Sequence, residues 1–236
     1  FLLVLISPLL ASGSLSESAL IGMIPFAAIL AMAATGQTLV IQQRGLDLSL
    51  PGMLSLSTVI VTKVPAGDPT LLPQALLLVL GASVVAGLLN GIAITRFRIT
   101  PLVATLGVNA LLVGTVLALT SGTSTASSPM ALSSFALART FGIPNTALVA
   151  VGLVALVAIV VNRTTIGRRS VAIGANPTAA HAAGLPVTRY LLGTYIVAAV
   201  TYGLAGVLLT GFLGIPGPQP GDNYLLPSIA AVVLGG

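Results

Sequence analysis

The sequence predicts an all-α fold, a polytopic bundle of membrane-spanning helices, and three observations predict it. Of the 236 residues, 56% are hydrophobic and 6% are charged, whereas soluble domains have roughly 25% charged residues. The apolar residues form runs of about 20 separated by polar breaks, but barrel strands would alternate apolar and polar residues over about ten positions. The 26 glycines and the absence of tryptophan suit helices that pack closely through small residues.

The apolar runs divide the chain into about eight candidate membrane segments. The third is short for a span, and the first and last stop within an apolar run. We therefore expect residues 1–236 to be a single transmembrane domain that is truncated at both ends. In order, the segments are residues 1–12, 20–42, 50–64, 71–95, 101–120, 146–162, 190–213 and 224–236.

The basic residues predict the orientation of this bundle. If successive breaks lie on alternate sides, one side has seven arginines and the other has only Lys63 and Arg139. The arginine-rich side is then cytoplasmic, because cytoplasmic loops carry the excess of Lys and Arg. Its longest loop is residues 163–189, and the net charge of +5 needs no nucleic acid to explain it. The seven are Arg44, Arg96, Arg98, Arg163, Arg168, Arg169 and Arg189.

Two breaks leave alternatives open. The outer loop 121–145 is polar and rich in Ser and Thr, so it is either a connector or a surface that receives a delivery partner. Residues 42–52, Q-Q-R-G-L-D-L-S-L-P-G, are either a tight inner turn in which Asp47 caps the next helix, or a broken helix that borders a pathway. The glycines Gly87 and Gly91 form a G-x-x-x-G, which either packs helices within the subunit or dimerises the chain.

The chain lacks the residues that would supply energy or catalysis. A phosphate-binding loop needs G-x-x-x-x-G-K-[ST], but the only lysine, Lys63, lies in V-T-K-V-P. Asp47 alone is a candidate internal acid, so ion coupling has little support. The only histidine, His181, cannot form a zinc site or a catalytic triad by itself. We therefore expect a protein that is not an enzyme and that binds no metal or cofactor.

The stretch G-A-N-P-T-A-A-H-A-A-G-L-P, residues 174–186, has the start and stop signals of a small helix over residues 177–183. Asn176 is a good N-cap, Pro177 suits the first position, and Gly184 suits the left-handed stop. Its positions are small, so a groove on another protein could close around it, with nearby arginines at the rim. The alternative is a solvated loop helix without a partner. We expect five small side chains of this stretch to be exposed: Thr178, Ala179, Ala180, Ala182 and Ala183.

Four stretches together resemble the permease subunits of bacterial ABC importers of the ribose and simple-sugar type. The third of them is similar to the coupling segment A-A-x-x-x-G of that family, matched by Ala179, Ala180 and Gly184. Two departures are Thr178, where an acidic residue often stands, and the L-P-G of residues 50–52 in place of V-G. The stretches are residues 38–52, 87–107, 164–185 and 220–236.

The resemblance implies a multi-pass permease domain of the bacterial inner membrane. It also implies a second permease subunit, two cytoplasmic ABC ATPase subunits that hydrolyse ATP, and an extracytoplasmic solute-binding protein that delivers a sugar or a similar solute. An ion-coupled secondary transporter of a small polar solute is the alternative. The expected ATPase-coupling residues are Arg168, Arg169, Asn176, Pro177, Thr178, Ala179, Ala180, His181 and Gly184, and the candidate pathway residues are Gln37, Gln42, Asp47, Asn90 and Asn109.

Overall fold

The computed structural model of the chain describes residue 7 and residues 13–123 and 126–235, which form a helical bundle. A two-stranded antiparallel ribbon on one loop pairs Arg139 with Pro144. The helices are α1 Glu17–Gln42, α2 Leu50–Lys63, α3 Leu72–Thr95, α4 Pro101–Thr120, α5 Met130–Leu137, α6 Asn145–Arg163, α7 Thr165–Ala175, α8 Pro177–Ala182, α9 Val187–Leu213 and α10 Leu225–Gly235, and the strands are β1 Arg139–Thr140 and β2 Ile143–Pro144. Short 3-10 turns cover Pro69–Leu71 and Asp222–Tyr224.

Five helices in the described part of the chain are long and apolar enough to cross a membrane: α1, α3 with its preceding turn, α4, α6 and α9. Helices α2 and α10 are apolar but shorter. The predicted segment 1–12 lies outside the described residues, apart from Ser7. The sequence therefore predicted the helical membrane bundle, while the count of about eight segments compares with five long and two short apolar helices here.

Helix α9 is the centre of the bundle and packs against α3, α1, α2 and α5. Glycines allow these close approaches. At Gly87 of α3 a Cβ would collide with the backbone of Ile196, and at Gly91 it would lie 2.5 Å from Leu192 Cδ1. The G-x-x-x-G therefore packs two helices within the subunit, which is the first of the two predicted roles.

Helix α2 is an internal helix. All of its residues except Ile60 and Lys63 are buried, and its 14 residues span about 21 Å, less than the ~30 Å of a bilayer core. Helix α4 holds its beginning, because Asn109 Oδ1 accepts a hydrogen bond from the Gly52 N–H at 2.8 Å. At its other end, Lys63 donates to the carbonyl oxygen of Leu119, near the end of α4.

At each end of the bundle, hydrogen bonds link chain segments that lie at that end. At one end the N–H of Leu48 donates to Thr105 Oγ1 at 3.0 Å. At the other end the N–H of Ser128 donates to the carbonyl oxygen of Gly214 at 2.6 Å. The seven arginines assigned to the cytoplasmic side are all exposed. They lie at or near the helix ends on the side of the bundle that contains Leu48. We call this end of the bundle the arginine-rich end.

Candidate functional site at the arginine-rich end

Helix α8 has both of the caps that the sequence predicted. The side chain of Asn176 accepts a hydrogen bond from the Ala179 N–H at 3.0 Å, and Pro177 occupies the first helical position, which needs no N–H donor. Gly184 follows the helix with φ of +80°. The N–H groups of Gly184 and Leu185 donate to the carbonyls of His181 and Ala180, at 2.9 and 3.0 Å, which is a Schellman stop. The helix ends at Ala182, one residue before the predicted end.

The exposure expected for one position of α8 is wrong. Ala180 is buried, with 6% of its surface exposed, so it packs against its own chain. Small residues on the opposite side of the helix, Thr178 and Ala182, are exposed. A period of 3.6 residues places these two farthest from Ala180. Ala179, His181 and Gly184 are also exposed.

Helix α7 leads into α8 and was not predicted as a helix. The side chain of Thr164 caps it by accepting a hydrogen bond from the Gly167 N–H at 3.2 Å. Ile173 and Gly174 are buried against the bundle, whereas Arg168 and Arg169 are exposed. Both arginines therefore remain available to a partner.

Residues at the end of α1 fasten α7 to the bundle. Gln43 Nε2 donates to the carbonyl oxygen of Ser170 at 2.9 Å and to its Oγ at 2.5 Å. Arg44, with φ of +62°, donates to the carbonyl oxygen of Ala175, the last residue of α7. A cation there also interacts favourably with the helix dipole. We call these contacts the α1–α7 clamp, and they connect α8 through α7 to the chain that enters α2.

A buried polar cluster lies just beyond the clamp, between α1, α2 and α3. Asp47 Oδ1 accepts hydrogen bonds from the N–H and the Oγ of Ser49, at 2.9 and 2.5 Å. Ser49 Oγ in turn accepts from Asn90 Nδ2 at 2.8 Å. Gly45 leaves room for the hydroxyl of Tyr195, which a Cβ would approach to 2.5 Å. Asp47 thus orients the N-cap residue of α2 and does not cap the helix directly.

Nearly the whole chain matches the model of one protein family. Its profile, described as the permease component of a branched-chain amino acid transport system, matches residues 19–236. The chain belongs to this permease family. With its several long apolar helices, the permease is a multi-pass protein of the bacterial plasma membrane.

Curated relatives of the permease are import permeases. The ribose import permease protein of Bacillus subtilis is 34% identical over 240 residues, which cover 100% of this chain and 74% of the relative. The fructose import permease protein of Rhizobium meliloti is 32% identical, with 89% and 60% covered. The autoinducer 2 import system permease protein of Yersinia enterocolitica is 33% identical, with 84% and 62% covered. The permease thus spans between 60% and 74% of the length of these relatives. No solved structure matches it.

The candidate pathway residues of the permease do not form one surface. Gln37, Asp47 and Asn90 are fully buried, and Gln37 Oε1 accepts a hydrogen bond from the Tyr202 hydroxyl at 3.1 Å. Asn109 holds the beginning of α2, and Gln42 lines a crevice between α1 and α6. Sequence reasoning selected amides and acids by type, and its candidate pathway residues did not include Asp222 and Asn223, which are exposed in the break between α9 and α10. The signal that marks this break is its run of alternating prolines, P-G-P-Q-P-G, residues 216–221.

Proposed function

We propose that the permease is the membrane-spanning subunit of an ATP-driven ABC importer for a sugar or a sugar-like solute. Its relatives are ribose, fructose and autoinducer 2 import permeases, which supports a small hydroxylated solute. In this proposal the subunit forms the translocation pathway with a second permease subunit, and a solute-binding protein delivers the solute from outside. ATP hydrolysis takes place on two cytoplasmic ATPase subunits. Residues 1–236 then contribute about eight membrane segments, including residues 1–12 and both short apolar helices.

The observation that carries the proposal is the capped helix α8 at the arginine-rich end. It is too short, at 6 residues, to cross a bilayer, and its exposed side is built from small residues that a groove can enclose. The α1–α7 clamp connects it to the internal helix α2, so a force applied to α8 has a hydrogen-bonded route into the core. The expected coupling residues are Arg168, Arg169, Asn176, Pro177, Thr178, Ala179, His181 and Gly184, with Ala180 packing α8 onto its own chain.

Transport by the reconstituted complex tests the energy source. We expect proteoliposomes that contain the permease, its ATPase subunits and its binding protein to accumulate solute when ATP is inside. Vanadate, which blocks ATP hydrolysis, is expected to abolish uptake, and dissipating the proton and sodium gradients is expected to leave uptake unchanged. Uptake that survives vanadate and stops with the gradients would instead establish the ion-coupled alternative.

A substitution on the exposed side of α8 tests the coupling role. We expect Ala182→Glu to reduce ATPase co-purification and transport about tenfold or more, because a bulky charge would be buried without a partner in the groove. His181→Gln is the milder change on the same helix, and its effect is expected to be small because glutamine can also donate and accept hydrogen bonds. Ala180→Glu is unsuitable, since it would disturb the packing of α8 on its own chain. Normal ATPase binding and transport by correctly inserted Ala182→Glu would show that α8 is only a loop helix.

A further inference from the structure

The chain between α9 and α10 turns back into the bundle. Helix α9 touches α2 at Gly206, where a Cβ would lie 2.5 Å from the carbonyl oxygen of Leu54. Helix α9 then continues to Leu213, seven residues and therefore about 10 Å farther. Beyond that end, the N–H of Gly221 donates to Ser55 Oγ at 3.1 Å, in a buried contact. Gly221 therefore lies again beside the first turns of α2, about 10 Å below the outer end of α9.

Close packing fixes this re-entrant segment, which we define as residues 214–224. At Gly221 a Cβ would collide with the carbonyl oxygen of Pro51, so a glycine is needed for the approach. Tyr224 is also buried, at the end of the 3-10 turn. Irregular backbone at membrane depth occurs only where protein encloses it or where it lines a water-filled cavity. One side of the segment is enclosed by α2, so the environment of the other side decides its role.

Polar side chains occupy that other side. Asp222 and Asn223 are exposed, although the buried residues on both sides of them pack against the bundle. A carboxylate at this depth is costly against lipid and is normally found facing a water-filled cavity or the interior of a bundle. Asn223 lines a cavity of about 460 Å³ whose apolar and aromatic walls include Phe26, Leu30, Leu209, Leu213 and Tyr224.

We propose that the re-entrant segment lines the translocation pathway, and that Asp222 and Asn223 offer hydrogen bonds to the hydroxyl groups of the passing solute. This inference rests on the proposed function and names residues of its pathway. The chemistry fits a polyhydroxylated, uncharged solute, because an amide and a carboxylate bind hydroxyls while apolar and aromatic walls pack against C–H faces. Few polar groups on a mostly apolar wall hold such a solute weakly, as passage requires.

Thiol accessibility tests the lining directly, since the chain has no native cysteine. Asp222→Cys and Asn223→Cys are compared with Leu226→Cys, a residue of α10 whose side chain is 74% exposed. In intact membranes, we expect a charged, membrane-impermeant methanethiosulfonate to react about tenfold faster at positions 222 and 223, because thiolates form in water and not in hydrocarbon. Equal, slow reaction at all three positions would overturn the inference.

Uptake of ribose by the reconstituted complex provides the second measurement. We expect modification of Asn223→Cys to reduce ATP-driven uptake about tenfold, and Asn223→Ala to reduce it without loss of ATPase binding. Asp68→Asn, in another loop of the same end, is the control, since Asn can also accept the hydrogen bond from Thr70 that Asp68 accepts. Labelling of Asn223→Cys without loss of uptake would overturn the inference. Absence of ATP-driven uptake of ribose, fructose and autoinducer 2 in the wild type would contradict the proposed function, while the labelling pattern would still decide whether water reaches the segment.

Discussion

At the scale of single residues, Asp47 is an acid that the fold encloses completely. It lies in the connector between α1 and α2, where Oδ1 has two hydrogen bonds from Ser49 and Oδ2 has no partner. Burial raises the pKa of Asp47 from 3.8 to about 6, although the hydrogen bonds from Ser49 oppose the rise. Asn90 Oδ1 is also buried without a partner. The cluster therefore holds α2 in position, and its burial makes the charged form of Asp47 less stable than the protonated form over a wider pH range.

The pH dependence of stability follows from this pKa. A raised pKa means that the folded protein binds a proton more tightly than the unfolded chain, so the wild type loses stability as pH rises from about 4 to about 6. Relative to Asp47→Asn, which does not titrate, the loss amounts to about 3 kcal/mol for a shift from 3.8 to about 6. We expect the melting temperatures of the two purified proteins to be similar near pH 4 and to favour Asp47→Asn at pH 7.5. A gap that favours the wild type as pH rises would show that the fold stabilises the carboxylate.

Transport by Asp47→Asn separates a structural acid from a coupling acid. The Asn side chain keeps an oxygen that accepts hydrogen bonds from Ser49, so we expect substantial uptake. Complete loss of uptake in a well-folded variant, together with dependence of wild-type uptake on an ion gradient, would favour the ion-coupled transporter.

The sequence identifies residue types but not their burial. It predicted the caps of α8 because Asn176, Pro177 and Gly184 act on backbone within a few positions. The burial of Gln37 depends on packing against a distant part of the chain, since Gln37 meets Tyr202, 165 positions away. The burial of Ala180 depends on how α8 folds back on its neighbours α7 and α9. No local pattern carries that information. The sequence alone therefore does not distinguish exposed candidate site residues from buried ones.

At the scale of helices, apolar length predicted the long elements well. The predicted segment 101–120 has the bounds of α4, and 146–162 is one residue short of α6 at each end. Helix α7 was missed because it is amphipathic and short, with 11 residues, inside a loop that hydropathy marks only as polar. Helix α5 and the ribbon were missed for a similar reason, since packing against α9 and α6 stabilises them more than local propensity does.

Two glycines of α3 provide a matched pair for testing helix packing. We expect Gly87→Ala to destabilise the protein by about 1–3 kcal/mol, because the new Cβ would force α3 away from the backbone of α9. Gly81→Ala, with nothing within 4 Å, is expected to be neutral or to stabilise by up to about 1 kcal/mol. Thermal unfolding of both variants in detergent measures the difference. If the two changes had equal effects, α3 would not depend on contact at Gly87.

At the scale of the whole molecule, contacts between helix ends agree with the distribution of arginines. Gln43 meets Ser170 at the arginine-rich end, and Lys63 meets Leu119 at the opposite end. The hydropathy pattern and the positive-inside rule were sufficient to group the helix ends. The internal position of α2 and the return of the chain at Gly221 were not predictable, since both are departures from a simple succession of spans.

Single cysteines test the orientation of the bundle. We expect Arg168→Cys to react with an impermeant thiol reagent only from the cytoplasm, and Ser127→Cys only from outside, because the excess of arginines marks the cytoplasmic end. Labelling of intact cells and of inverted vesicles distinguishes the two sides. Reaction of both positions from the same side would contradict this topology.

The enclosure of α2 has a consequence for how the protein is made. Its main neighbours include α9, which begins at Val187 and so leaves the ribosome roughly 10 s after Lys63 at about 5–20 residues per second. Until then, the hydroxyl side chains of α2 must be covered by an element other than α9. Helix α4, synthesised sooner, already supplies Asn109 for the first turn of α2 and Thr105 for Leu48, just before that turn. Membrane insertion of this chain is therefore expected to include an intermediate at the translocon, in which α2 packs against α4 before α9 is synthesised and covers it.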